Sequence, residues 1–175
     1  ECCRVDFLPL KARYGGPALG RLLVTTFDNP WAFILRFDVG DIVRVRPGAA
    51  GENGAGFVAE AVEGRAANAT FTTAGGLVTT AMADAALAQV PGIRDYDLSQ
   101  TEKDRYALRL KLGGDAHGAV PCAEALLRGL YGADGRYAVT VVRDLLPGPS
   151  GKYRRTHAAF AFDDWSLVEG EIRHA

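Results

Sequence analysis

The rhythm of apolar residues changes near Gly64, and that change limits the folds open to this chain. Before it, residues 5–10, 21–27, 34–37, 42–46 and 57–62 read as short β-rich runs parted by glycine and proline turns. After it, helical stretches enter. Residues 69–73 and 77–79 look extended, and residues 81–90 read as an alanine-rich helix stopped by Pro91-Gly92. Residues 94–99 and 105–112 predict a hairpin across Thr101-Glu102-Lys103-Asp104. Its second strand alternates Tyr106, Leu108, Leu110 and Leu112 with more polar partners, so one face is buried and one is wet. Pro121 opens a second helix that runs to Tyr131 and closes at Gly132, and residues 137–142 supply a last strand. The order βαββαβ is that of a ferredoxin-like split unit. The predicted fold class is α+β, with residues 1–64 a β-rich segment and residues 65–175 an α+β domain carrying a C-terminal extension.

Composition narrows the function classes. With 48% hydrophobic residues in 175, one or two small domains can bury roughly two thirds of their unfolded surface. Twenty basic against 21 acidic residues leave no bias toward nucleic acid or a membrane surface. No apolar run approaches a membrane span, and the chain opens Glu-Cys-Cys-Arg rather than with a signal peptide. Cys2, Cys3 and Cys122 form an odd set without disulfide spacing, which predicts a reducing, cytoplasmic setting. Two adjacent thiols cannot build a four-ligand metal site, and His117, His157 and His174 are scattered, so no metal is predicted. No Ser-His-Asp or Cys-His context suggests a hydrolase.

Three positions carry candidate chemistry. Asp41 follows the small Gly40, and one ionised carboxylate can accept hydrogen bonds from both hydroxyls of a ribose diol lying against backbone. The competing reading is a carboxylate capping a turn between strands. Arg65, after Gly64, offers a planar fork to ribose oxygens or a phosphate, or else is a solvated arginine at a strand end. Lys152 lies in Leu146-Pro147-Gly148-Pro149-Ser150-Gly151-Lys152-Tyr153-Arg154-Arg155, a loop able to swing a point charge, or simply a basic patch. Trp31, after Asn29-Pro30, is either a packing aromatic or the lining of an adenine or acyl pocket. Residues 48–56 are glycine-rich but lack a Lys-Ser/Thr ending and a following helix, so they read as a hairpin loop and not a phosphate cradle.

Taken together, Arg36-Phe37-Asp38-Val39-Gly40-Asp41, Glu63-Gly64-Arg65 and the Gly151-Lys152 loop resemble, in order, the closing third of an adenylate-forming ligase. The likeness is to the phenylacetate-CoA ligase-like branch, which includes aryl-CoA ligases and deazaflavin coenzyme synthetases. The run Leu22-Leu23-Val24-Thr25-Thr26-Phe27, then Asn29, then Ile34-Leu35-Arg36-Phe37, resembles the strand that leads to the family's ribose loop. The resemblance implies that residues 1–64 end a large-domain β-barrel and that residues 65–175 are a mobile lid. It implies that Asp41 and Arg65 bind ATP and that Lys152 is the adenylation lysine. ATP with magnesium, CoA or another thiol, and a carboxylic acid, with aromatic acids favoured, are the implied ligands. A charged hinge residue usually follows the Gly-Arg pair; here Ala67 holds that position, in Ala66-Ala67-Asn68. The family's upstream phosphate loop and magnesium carboxylate are missing, which implies a fragment or a separated half, inactive alone and able to form a homodimer through the uncovered surface. Cys2 or Cys3 is then a candidate remnant of a zinc site found in some relatives. A non-catalytic ferredoxin-like binding or regulatory module is the alternative. Phe160, Phe162 and Trp165 predict that the tail beyond Lys152 folds back rather than dangling.

Overall fold

The computed structural model describes residues 2–28, 30–46, 56–114, 117–147, 151 and 153–169. They form two compact units. One runs from the N-terminus to Ala66 and takes in the residues from Asp163 onward; the other is Ala67–Phe162. The stretch from Asp163 thus belongs with the first unit, where the sequence had placed it in the second.

The first unit is a four-stranded antiparallel sheet, β1 (Cys3–Pro9), β2 (Leu19–Thr26), β3 (Phe37–Val45) and β4 (Ala59–Arg65), in the order β1-β2-β3-β4. Strand β2 alternates as a half-buried strand should: Leu19, Arg21, Leu23 and Thr25 point inward, with Leu22, Val24 and Thr26 on the other face less deeply covered. The expected runs at 34–37 and 42–46 are one strand beginning at Phe37, because Val39-Gly40-Asp41 is a bulge within the strand and not a turn. Thr25 and Thr26 tie down the connection before it: Arg36 N donates to Thr25 Oγ1 (3.0 Å) and Thr26 N to the Ile34 carbonyl (2.9 Å). The tail returns to this sheet through a bridge between Leu10 and Val168 and bonds from Lys11 N to the Leu167 carbonyl (2.8 Å) and Glu169 N to the Pro9 carbonyl (3.0 Å).

The second unit opens with a small hairpin, β5 (Thr70–Phe71) and β6 (Leu77–Val78), followed by α1 (Thr80–Leu87), β7 (Ile93–Glu102), β8 (Arg105–Leu112), α2 (Ala119–Tyr131), β9 (Arg136–Val142) and β10 (Thr156–Ala158). The main sheet has the order β10-β7-β8-β9: β7 and β8 are an antiparallel hairpin, while β9 and β10 lie parallel to their neighbours. The βαββαβ order is present along the chain, but β6 pairs with β5 and stays out of the main sheet, whose edge is taken by the unexpected β10.

Both helices start earlier than their sequence signals. Thr79 caps α1 by accepting from Met82 N (3.2 Å), and α2 begins at Ala119 because a proline within the first turn lacks only an N–H that would have no helical partner. Ala119, Ala123, Leu127 and Tyr131, four residues apart, form the buried stripe of α2. They pack with Tyr96, Leu98, Tyr106, Leu108 and Leu110 from the hairpin and Ala83 and Leu87 from α1. Gly132 ends α2 at φ 121°, and a Cβ there would lie 2.2 Å from Thr73 Oγ1, so only glycine fits.

Candidate functional site

Asp41 and Arg65 are brought together by strand register. They are direct cross-strand partners on β3 and β4, with Arg65 Nε 3.4 Å from Asp41 Oδ1. Both side chains keep solvent access, 34% for Asp41 and 65% for Arg65, so the pair is a surface arrangement that a ligand can reach. The backbone beneath is irregular on both sides. Between the partners Leu23–Asp38 and Arg21–Ile42, β2 has one residue and β3 has three, so two extra residues bulge at the position of Gly40. Gly40 takes φ 82°, a left-handed conformation that glycine adopts without strain. Bulges of this kind re-aim the side chain that follows, here Asp41.

The bulge is held from below. Asp38 Oδ1 accepts from Gly40 N (2.9 Å), and the Asp38 carboxylate is gripped by two nitrogens of Arg21, Nε at 3.4 Å and Nη2 in a very short contact. Arg21 is 2% exposed, and its guanidinium also meets Asp164 Oδ2 at 3.3 Å and lies 4.2 Å from the centre of the Trp165 ring. The sequence reading passed over this cluster. Its signal was legible: an arginine in phase with Leu19, Leu23 and Thr25 on an inward strand face needs acidic partners. Next to it, Arg44 Nε pairs with the buried Glu63 at 2.7 Å.

Lys152 lies outside the described residues, as do Gly48 to Ala55 of the glycine-rich stretch. The chain on either side of Lys152 is described within the second unit. Lys111 Nζ pairs with Asp144 (2.7 Å), Leu145 is buried, and the Tyr153 hydroxyl donates to the Leu145 carbonyl in a short contact. Arg155 reaches Asp84 (3.2 Å) and Asp95 (3.6 Å), and its carbonyl accepts from Leu98 N (2.8 Å). The Tyr96 hydroxyl donates to Asp84 (2.6 Å); burial first, and that bonded carboxylate second, push the phenol well above its ordinary pKa. Asp84, Asp95, Tyr96 and Arg155 line a cavity of about 260 Å³. Residues on both sides of the lysine loop are therefore anchored to α1 and the sheet.

The remaining candidates are scattered. Ala67, the hinge-matching position, is exposed in a 3-10 turn directly after Arg65, where the two units divide. Trp31 is 93% exposed, on the connection between β2 and β3. Cys2, Cys3 and Cys122 are exposed, and among the described residues no group of three or more His, Cys, Asp or Glu could hold a metal.

No protein-family model matches the chain, and no curated protein sequence matches it. Solved structures do. 2-Hydroxyisobutyryl-CoA ligase in the postadenylation state, in complex with 2-HIB-AMP, superposes with a TM-score of 0.59 at 17% identity, covering 86% of this chain and 35% of that one. O-succinylbenzoate coenzyme A synthetase from Bacillus subtilis, in complex with AMP, gives 0.56 at 14% identity, covering 88% and 33%. The amide bond synthetase McbA from Marinactinospora thermotolerans gives 0.55 at 16% identity, covering 85% and 32%. The chain thus has a mixed α+β fold shared with part of these three enzymes and spans about a third of their length.

Proposed function

We propose that this chain is part of an ATP-dependent ligase that activates a carboxylic acid as its acyl-adenylate and then passes the acyl group to a thiol such as CoA. The observation that carries the reading is the Asp41–Arg65 pair, set on a bulge in a fold shared with adenylate-forming enzymes. Asp41 would accept hydrogen bonds from the ribose diol, and Arg65, beside it, would donate to ribose or phosphate oxygens. In the first half-reaction a carboxylate oxygen attacks the α-phosphorus and pyrophosphate departs. Two anions must meet there, and the Lys152 ammonium would offset their repulsion by about 4 kcal/mol at 4 Å and an effective dielectric of 20. In the second, a thiolate attacks the acyl carbon and AMP leaves. The phosphate loop and magnesium carboxylate would come from the rest of the enzyme, as would the acyl pocket and with it any preference for aromatic acids. In this reading residues 1–64, joined by the stretch from Asp163, end the large domain, and the α+β segment from residue 65 up to that stretch forms the lid, βαββαβ in element order.

The test uses the complete protein. Asp41→Ala should weaken nucleotide binding by about 1.5–3 kcal/mol, the strength of charged hydrogen bonds, with an unchanged melting curve. Lys152→Ala should slow acid-dependent pyrophosphate exchange roughly a hundredfold or more while leaving thiol transfer from a supplied acyl-adenylate nearly normal. Unchanged nucleotide affinity in the first and unchanged exchange in the second would reject the ligase in favour of a non-catalytic module.

A further inference from the structure

The C-terminal tail reaches the bulge that carries Asp41 through a single buried cation. Asp163 caps the 3-10 turn Asp164–Leu167 by accepting from Trp165 N (3.0 Å), and the backbone bonds to Pro9 and Lys11 hold that turn on β1. From there Asp164 and Trp165 contact the Arg21 guanidinium, Arg21 holds Asp38, and Asp38 accepts from the Gly40 amide that shapes the bulge. Arg21 Nη1 has no hydrogen-bond partner among the described residues, so this buried cation depends on the contacts that remain.

We propose that Asp164 and Trp165 are positioning residues for the nucleotide-binding carboxylate Asp41, so that nucleotide affinity depends on docking of the tail. The proposal rests on the ligase reading of Asp41. Its physical basis is that Asp38 and Asp164 share one guanidinium while the indole ring covers it, which fixes the cation where Asp38 can also serve Gly40. With Asp164 and Trp165 removed, Arg21 gains room to turn toward solvent, and the Asp38–Gly40 bond loses its support. The left-handed Gly40 is then no longer tied, and Asp41 samples other directions.

Two measurements decide it. In the 175-residue chain, the Gly40 amide should exchange with solvent roughly fivefold faster or more in Asp164→Asn/Trp165→Ala than in the parent, with Trp165→Phe restoring the slower rate because a phenyl ring still covers the cation. In the complete protein, the same double variant should raise KM for ATP by roughly fivefold or more with kcat little changed, the signature of lost binding rather than lost chemistry. An unaltered Gly40 amide overturns the proposal, as does an unaltered KM in a protein whose Asp41→Ala variant binds nucleotide poorly. If Asp41→Ala leaves nucleotide affinity intact, the ribose assignment itself fails, and a faster Gly40 amide would still establish the link from tail to bulge.

Discussion

The two units differ in the polar groups they bury. The second closes around leucines, alanines and tyrosines, and its most deeply buried amide is matched: the Gln100 side chain bonds to Phe71 N (2.8 Å), the Phe71 carbonyl (3.1 Å) and the Lys103 carbonyl (3.0 Å), while Asp97 Oδ1 and His157 Nδ1 have no hydrogen-bond partner among the described residues. The first has apolar residues under its sheet as well, but its largest fully buried side chain is Arg21, held by two carboxylates and an indole. It also leaves Phe27, Trp31, Phe33, Leu35 and Phe37 at least 59% exposed along the connection from β2 to β3. Local alternation explains the hairpin and the second helix of the second unit. The first is a sheet of consecutive strands closed by a tail far away in sequence, and it carries the candidate ribose contact.

This contrast can be broken most directly at the core. Leu108→Ala in the second unit, at a fully buried position, should lose about 2–5 kcal/mol of stability, whereas Phe33→Ala in the first should stay within about 0.5 kcal/mol, both measured by urea unfolding. Equal losses would mean that the exposed segment is structural after all. A smaller effect is expected from Gln100→Leu, which takes the Gln100 acceptor from the Phe71 amide while the Phe71 carbonyl keeps the Tyr106 hydroxyl, and should cost about 1–3 kcal/mol by the same assay.

Alkali sharpens the comparison further. Burial raises the pKa of Tyr96, Tyr106 and Tyr131, all in the second unit, while the first unit contains one tyrosine, Tyr14. A raised phenol pKa contributes stability that is fully present below the unfolded value near 10 and is lost as pH rises beyond it. Melting temperature should therefore hold up to about pH 10 and then fall, with signals from the second unit leading. A drop led by amides of β1 and β2 would reverse the assignment.

The smallest effect is expected at a surface pair of the second unit. Hydrogen bonds from Arg136 hold the Asp104 carboxyl below its usual range, so any contribution exists above the ordinary carboxylate pKa and disappears as pH falls through the lowered one. Arg136→Ala should move the Asp104 titration, followed by NMR, up toward the ordinary carboxylate range without a measurable change in melting at neutral pH.

Much of the second unit was legible in the order of residues, because its periodicities are local. Tyr106, Leu108 and Leu110 alternate as an inward strand face must, and Ala119, Ala123, Leu127 and Tyr131 recur every four residues as a helix stripe must. Strand β10 was not legible, since Thr156-His157-Ala158 has no pattern of its own and becomes a strand only by pairing with Leu98-Ser99-Gln100. The same holds for Val39-Gly40-Asp41: a Gly-Asp pair reads equally as a turn or a bulge, and the pairing of β3 with β2 and β4 decides between them.

The sequence by itself determined the α+β composition, the helix stop at Gly132, and the residue types suited to a ribose and a phosphate; the first helix ends at Leu87, ahead of the expected stop at Pro91-Gly92. Those properties follow from side-chain chemistry and near-neighbour spacing. Only the tertiary structure decided that Asp41 faces Arg65 and that the tail joins the first unit. It also decided that Arg21 is buried between Asp38 and Asp164. Each of these joins residues at least 17 positions apart, and the tail lies more than 140 positions from Arg21. At such separations no local preference selects the partner. The choice is made when the sheet closes and a buried guanidinium must find its carboxylates.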